Sequence, residues 1–130
     1  MSAPKVFISY AHSDKDWAEK FAEIMVNSGV DVWFDQFNVK AGEPLSEAIE
    51  KGLRESDIVV LLISPENINR PNLFFELGAA LGMNKTVVPI VPENLDAHSL
   101  PLPLQRIKFI VRASPEETAR ELASELAKAA

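Results

Sequence analysis

The run Ile58-Val59-Val60-Leu61-Leu62-Ile63 decides the fold of this 130-residue chain. Its aliphatic residues follow one another without alternating with polar ones, which is typical of a strand that is covered on both faces. Ser64-Pro65 then ends the run. We therefore predict that this run is the central strand of a parallel sheet.

Strand-like and helix-like segments alternate on both sides of this run. Further strands are predicted at residues 6–8, 30–34, 86–91 and 107–111. Helical spacing of apolar residues predicts helices between them and after the last strand. Asp31 introduces alternation into the second predicted strand, which indicates a position nearer the edge of the sheet. This order of elements predicts βαβ units and a parallel sheet.

Capping residues mark where two of these helices begin or end. Ser13 is the predicted N-cap of the first helix, with Asp16 in the capping-box position. Gly29 is placed to end that helix as a C′ glycine. Ser114-Pro115-Glu116-Glu117 combines an N-cap, a proline at N1 and a glutamate at N3, which predicts the start of the last helix.

The fold class that follows is α/β, a flavodoxin-like three-layer sandwich with helices on both faces of the sheet. Its five parallel strands are predicted in the order 2-1-3-4-5, in a single domain over residues 1–130. Ligands in such sheets bind beyond the carboxyl ends of the strands, where the strand order reverses. We therefore expect the functional residues in segments 9–14, 35–44 and 64–76.

Composition excludes several classes of function. The net charge of −6 argues against nucleic-acid binding. The absence of cysteine excludes disulfides and sulfur-ligated metals, and no metal-ligand spacing surrounds His12 or His98, so no metal is expected. The N-terminus lacks the apolar core of a signal peptide, and no apolar run is long enough to span a bilayer. We expect a cytoplasmic protein without membrane contact.

Known phosphate-binding motifs are also missing. The chain has neither G-x-G-x-x-G after a strand nor G-x-x-x-x-G-K. A phosphoacceptor receiver domain has acidic residues after the first and third strands, where this chain has Ser9-Tyr10 and Ser64-Pro65. The receiver interpretation is therefore excluded.

Glu76 is the informative residue, because it is the only charged residue in the apolar segment 73–82. Its spacing from Leu73 and Ala80 places it on the core-facing side of a predicted helix. A carboxylate there costs free energy unless it has a partner or faces a cleft. The alternative is a position in the first turns of the helix, where the helix dipole favours an acid. Periodicity leaves both alternatives open.

Four segments in order resemble the Toll/interleukin-1 receptor (TIR) domain family, most closely its bacterial members. Val6-Phe7-Ile8-Ser9-Tyr10-Ala11-His12-Ser13-Asp14 resembles the first conserved box. Val32-Trp33-Phe34-Asp35 and the loop containing Gly42 resemble the second strand and the long BB loop. The central run with Phe75-Glu76-Leu77-Gly78 resembles the third strand and the helix after it, and Val87-Val88-Pro89-Ile90 resembles the fourth strand.

In enzymatically active TIR domains, the glutamate that matches Glu76 cleaves the nicotinamide–ribose bond of NAD+. The resemblance therefore implies an NAD+ glycohydrolase in which Glu76 is catalytic, NAD+ is the substrate and no cofactor is needed. The chemistry is consistent with this, because a carboxylate stabilises the oxocarbenium-like carbon that forms as neutral nicotinamide leaves. Whether the product is ADP-ribose, a cyclic isomer or an exchanged base stays open.

The resemblance also implies a substrate site around that glutamate. Tyr10, Ala11 and His12 match residues that line the nucleotide cleft, and for His12 a solvated loop residue is favoured over a proton carrier. Asp35 matches a ribose hydrogen-bond acceptor, with a turn residue as the alternative. Gly42 matches the BB loop, where the favoured role is a positive φ. Asn72 stands where many active members have tryptophan, and its alternative role is a helix cap.

Two classes of function remain. The first is an NAD+-cleaving effector in bacterial anti-phage defence that self-assembly with other TIR domains activates. The second is a non-catalytic adaptor or a host-mimicking virulence module, with Phe37 and Val39 of the BB loop as interface anchors. Glu76 favours the enzyme, since an adaptor has no need of it in an apolar helix. The chain is compatible with an N-terminal module of a longer protein.

Overall fold

The computed structural model describes residues 4–34, 41–42, 45–65, 71–100 and 102–129, with the backbone alone at 45–46, 71–75, 97 and 127–129. Within these ranges, parallel strands form one five-stranded sheet in the order β2-β1-β3-β4-β5. The strands are β1 Lys5–Ser9, β2 Asp31–Trp33, β3 Ile58–Leu62, β4 Thr86–Val91 and β5 Ile110–Val111. The predicted topology is confirmed.

The position of each strand follows from its apolar pattern. Every residue of β3 is buried, and the strand pairs with β1 on one side and β4 on the other. This confirms that the uninterrupted aliphatic run is the central strand. β2 lies at the edge of the sheet, and Asp31 is its exposed residue, as the alternation in that segment predicts.

Helices cover both faces of the sheet and complete the three layers. They are α1 Lys15–Asn27, α2 Leu45–Glu55, α3 Pro71–Gly82, α4 Leu102–Gln105 and α5 Pro115–Ala129, with 3-10 turns at His12–Asp14 and Ala97–Ser99. Phe21 of α1 and Leu122 of α5 pack with Val60 on one face. Leu53 of α2 and Leu77 of α3 pack on the other. In the described part of the chain, no helix is long and apolar enough to cross a membrane.

The end of α1 confirms the predicted role of Gly29. This glycine has φ +89°, its N–H donates to Val26 O at 3.0 Å, and the Val30 N–H donates to Met25 O at 3.1 Å. The two bonds form a Schellman motif, which requires a left-handed residue at C′. The chain therefore turns sharply from α1 into the edge strand β2.

The fifth strand is shorter than predicted. The sequence pattern predicts residues 107–111, but only Ile110–Val111 pairs with β4. The N–H of Ile107 instead donates to Leu104 O at 3.3 Å and closes the turn after α4. Lys108 forms an ion pair with Glu125 of α5 at 3.1 Å. These bonds keep residues 107–108 out of the sheet.

The prediction that Ser13 caps α1 is wrong. Ser13 lies within the 3-10 turn His12–Asp14, and Asp14 occupies the N-cap position without a side-chain capping bond. The Asp14 carboxylate accepts a hydrogen bond from Arg112 at 2.9 Å instead. Ser114 does act as predicted, since its Oγ accepts the N–H of Glu117 at 3.1 Å.

The two serines therefore differ in their expected contribution to stability. We expect Ser114→Ala to lower the free energy of unfolding by about 1 kcal/mol, because the first turn of α5 loses its capping acceptor. Ser13→Ala is the matched control and should change it by less than about 0.5 kcal/mol. Urea unfolding followed by circular dichroism measures both, and equal effects would contradict the capping assignment.

Candidate functional site

A cleft of about 150 Å³ lies at the carboxyl ends of β1 and β2. Its walls come from these two strands, from the residue after β1 and from helices α2 and α3. The lining residues are Phe7, Ile8, Ser9, Tyr10, Trp33, Ile49 and Glu76. The cleft lies at the carboxyl edge of the sheet, where such folds bind ligands. Its strand residues come from β1 and β2, however, and not from β1 and β3, between which the strand order reverses.

The apolar part of the cleft is built by the edge of the sheet. Alternation along β1 directs the side chains of Phe7 and Ser9 to the same face of the sheet. Phe7 is 2% exposed and Ser9 is 8% exposed. Trp33 ends β2 opposite Phe7 in the strand register. The two rings stack with centroids 4.7 Å apart and planes 8° from parallel. This stacked pair forms a rigid aromatic wall.

Glu76 brings a carboxylate into this apolar setting. It is half-buried on α3, one residue before Leu77 and four before Ala80, which are 3% and 0% exposed. Residues four apart share one side of a helix, so Glu76 lies toward the side that packs on the sheet. Of the two alternatives left open by the sequence, the structure supports the carboxylate that faces a cleft.

Tyr10 joins Glu76 in the cleft, as predicted, and its ring is held in place. It stacks on Phe34 with centroids 5.0 Å apart and planes 17° from parallel, and Phe34 is fully buried. Ala11 and His12 follow Tyr10 but do not belong to the lining described above. His12 is exposed and begins the 3-10 turn, so its predicted place in the cleft is not observed.

A polar cluster anchors the chain just after these residues. Arg112 donates to the Asp14 carboxylate at 2.9 Å, and the two side chains are only 24% and 12% exposed. The same guanidinium lies 4.7 Å from the centroid of the Trp17 ring. The Trp17 indole N–H donates to Ala113 O at 3.2 Å. The loop after β1 is thereby fixed to the carboxyl end of β5.

Of the remaining predicted site residues, the structure describes Gly42 and the backbone of Asn72. Gly42 is exposed with φ +92°, which supports the conformational role. Asn72 is the second residue of α3 and so is not its N-cap. Its side chain lies outside the described residues, as do Asp35, Phe37 and Val39 entirely. Among described residues, no three His, Cys, Asp or Glu side chains cluster as metal ligands would.

Five of the seven lining residues were not among the site residues predicted from the sequence, namely Phe7, Ile8, Ser9, Trp33 and Ile49. Ser9 carries a usable signal, because it ends β1 on the same face as Phe7. Trp33 is buried at 7% exposed, yet it also lines the cleft. Ile49 reaches the cleft from α2. No local pattern separates it from the other apolar residues of that helix.

Comparison with known families finds one match over most of the chain. A family model described as "TIR domain" matches residues 6–127. The match runs from β1 into α5 and so includes every strand and the whole cleft lining.

Individual relatives and solved structures agree with this match. The 2' cyclic ADP-D-ribose synthase AbTIR of Acinetobacter baumannii is 31% identical over 100 residues, which cover 76% of this chain and 34% of that protein. The NAD(+) hydrolase PdTIR of Paracoccus denitrificans is 38% identical over 66 residues, which cover 48% of this chain and 22% of that protein. This chain therefore spans about a third or less of the length of these relatives.

The fold itself is shared with a metazoan TIR-STING receptor from C. gigas, solved in complex with 2',3'-cGAMP. The superposition has a TM-score of 0.79 at 22% identity and covers 93% of this chain and 38% of that one. At this identity, the similarity concerns the fold alone.

Proposed function

Because this chain belongs to the TIR domain family, we propose that it cleaves the bond between nicotinamide and ribose in NAD+, with Glu76 as the catalytic carboxylate. The observation that carries the proposal is the half-buried Glu76 in a cleft whose wall is the stacked pair Phe7 and Trp33. Two relatives support it by name, one as an NAD(+) hydrolase and one as a cyclic ADP-ribose synthase.

The chemistry needs little more than such a carboxylate. The N-glycosidic C–N bond breaks, and its electron pair leaves with the nicotinamide ring, whose positive charge it neutralises. The anomeric carbon of the ribose becomes oxocarbenium-like, and a nearby carboxylate lowers the energy of that charge. Water then adds to this carbon and releases a proton. Since nicotinamide leaves neutral, no general acid has to protonate it.

The walls of the cleft support this role through the local dielectric. Ile49, Phe7 and Trp33 line the same cleft as the carboxylate, and charge interactions are stronger where apolar side chains exclude water. The volume of about 150 Å³ is below the roughly 300 Å³ typical of pockets that enclose a drug-sized ligand. We therefore propose that the cleft holds the reacting end of NAD+ and that the rest extends beyond it.

Binding of other TIR domains belongs to the same proposal. The resemblance assigns self-association to the BB loop, with Phe37 and Val39 as anchors, and places Asp35 and Gly42 near the substrate. The substrate role of Asn72 and the part played in anti-phage defence also stay predictions. This chain spans about a third or less of the length of those relatives, so we propose that regions outside it contribute to the clustering.

The test is NAD+ consumption by the purified chain at high concentration, with and without a crowding agent. We expect nicotinamide release in proportion to NAD+ loss, with a higher rate under crowding if assembly activates the domain. Chromatography separates ADP-ribose from cyclic isomers and identifies the product. If neither condition releases nicotinamide, this chain alone is not an enzyme, and it is either a non-catalytic adaptor or a module that needs a further partner domain.

A further inference from the structure

Gly52 occupies a position on α2 where no side chain fits. A Cβ atom built on Gly52 would lie 2.6 Å from Trp33 Cε2, 2.7 Å from Cδ2 and 2.8 Å from Nε1. Carbon atoms in contact are normally about 3.5–4.0 Å apart, so any side chain would overlap the indole. The absence of a Cβ thus allows the indole to lie directly against the helix backbone.

We propose that Gly52 is a positioning residue that sets the location of Trp33 in the cleft, and that the substrate binds against the indole so placed. This inference rests on the proposed function, since Trp33 and Glu76 line the same cleft. The indole is held between the Phe7 ring, whose centroid is 4.7 Å away, and the backbone of Gly52. Gly52 acts only through Trp33 and takes no part in the chemistry.

The helix cannot easily retreat from Trp33, because hydrogen bonds fix the end of α2. The hydroxyl of Ser56, which is fully buried, donates to Gly52 O at 2.6 Å. Lys85 Nζ donates to Arg54 O at 2.9 Å and ties the same turn to the start of β4. Asp57, which follows Ser56 in the chain, accepts a hydrogen bond from the backbone N–H of Lys5 at 2.9 Å through its side chain. Steric pressure at Gly52 therefore falls on the indole.

The indole in turn has one open direction. Phe7 is 2% exposed and covers one face of the indole, while Gly52 lies against it on the helix side. The free volume of about 150 Å³ in the cleft borders Trp33 directly. A methyl group at Gly52 should therefore displace the indole into the space that we assign to the substrate.

The chain provides a matched control in Gly82, the last residue of α3. A Cβ built on Gly82 meets nothing within 4 Å. Glycine to alanine raises helix propensity at both positions, but only at the buried Gly52 does the new methyl group meet Trp33.

The experiment measures NAD+ cleavage by both variants and by each in a Trp33→Phe background. Misplacing a group by about 1 Å can cost about 100-fold in rate. We expect Gly52→Ala to lower kcat/KM by about 10- to 100-fold, chiefly through a higher KM, because a displaced indole obstructs binding. Gly82→Ala should keep the wild-type value. In the Trp33→Phe background the effect of Gly52→Ala should shrink to within about threefold, since the two residues act as one unit.

A second measurement keeps the inference separate from the proposed function. The indole N–H resonance of Trp33, assigned by its loss in Trp33→Phe, is followed by NMR as NAD+ is added. We expect NAD+ to shift this resonance in the wild-type chain and in Gly82→Ala, and to shift it much less in Gly52→Ala. A shift without nicotinamide release would reject the proposed function and retain the inference. Wild-type kinetics and an unchanged NAD+ response in Gly52→Ala would overturn the inference.

Discussion

Glu76→Gln is expected to reduce nicotinamide release by about 1,000-fold or more. Removing a single preorganised electrostatic contact to a transition state costs about 100- to 1,000-fold in rate, and here the contact is a full negative charge. Glutamine keeps the size of the side chain and one carbonyl oxygen, but it cannot balance the positive charge on the ribose carbon. The rate is measured at saturating NAD+, so that a change in binding does not conceal the change in chemistry.

The control for this variant is Glu23→Gln, which removes an exposed carboxylate from α1 and should leave the rate unchanged. Glu76→Asp retains the charge on a shorter side chain, so its rate of nicotinamide release should lie between those of the wild type and Glu76→Gln. Far-ultraviolet circular dichroism and thermal unfolding show whether each variant is folded. A folded Glu76→Gln protein with wild-type turnover would refute the catalytic assignment.

Arg112→Ala is expected to lower the free energy of unfolding by about 2–4 kcal/mol. Breaking a buried ion pair from one side typically costs about 3–5 kcal/mol, because the remaining charge loses its partner. Asp14 is 12% exposed and Arg112 24% exposed, so solvent reduces that figure somewhat. The variant also loses the contact between the guanidinium and Trp17, whose centroid is 4.7 Å away, worth about 0.5–1 kcal/mol at a partly exposed site.

A second ion pair joins the same parts of the fold and provides the control. Lys20 of α1 lies 3.6 Å from Glu116 of α5, and both side chains are at least 50% exposed. Lys20→Ala should cost less than about 1 kcal/mol, as exposed pairs generally do. Urea titration gives both values. If the two variants lose similar amounts of unfolding free energy, burial of the Asp14–Arg112 pair contributes little to stability.

Much of the fold follows from local patterns in the sequence. The aliphatic run that forms β3 had to be covered on both faces, and strand order followed from alternating elements that right-handed crossovers connect. Gly29 and Ser114 were recognised because capping needs particular residues at particular places. These features share one property: the residues that determine them lie within a few positions of one another.

The errors came from contacts and turns that the local sequence pattern does not show. Ser13 fits the sequence pattern of an N-cap, but a 3-10 turn that contains this serine precedes the helix. The next residue, Asp14, accepts a hydrogen bond from Arg112, 98 residues away. Residues 107–108 have strand propensity, but the turn after α4 and the bond to Glu125 occupy them.

The candidate site shows the same division. Glu76 was found because a charge in an apolar helix requires an explanation. Trp33 and Ile49 were not found, because an apolar residue that lines a cleft has the same sequence pattern as one that lies in the core. Only the packing of α2 against the end of β2 places them beside the carboxylate.

The pairing of β1 with both β2 and β3 has a consequence for how fast the chain folds. Lys5 at the start of β1 bonds to Asp57, 52 residues later, and every neighbouring pair in the sheet is parallel and separated by a connecting segment. A long loop must therefore close before the central pair gains any stabilisation, which slows folding relative to a helical bundle of similar size. During synthesis, β1 leaves the ribosome long before β3 exists to pair with it. The edge of β1 that pairs with β3 therefore stays unpaired until residue 62 has emerged.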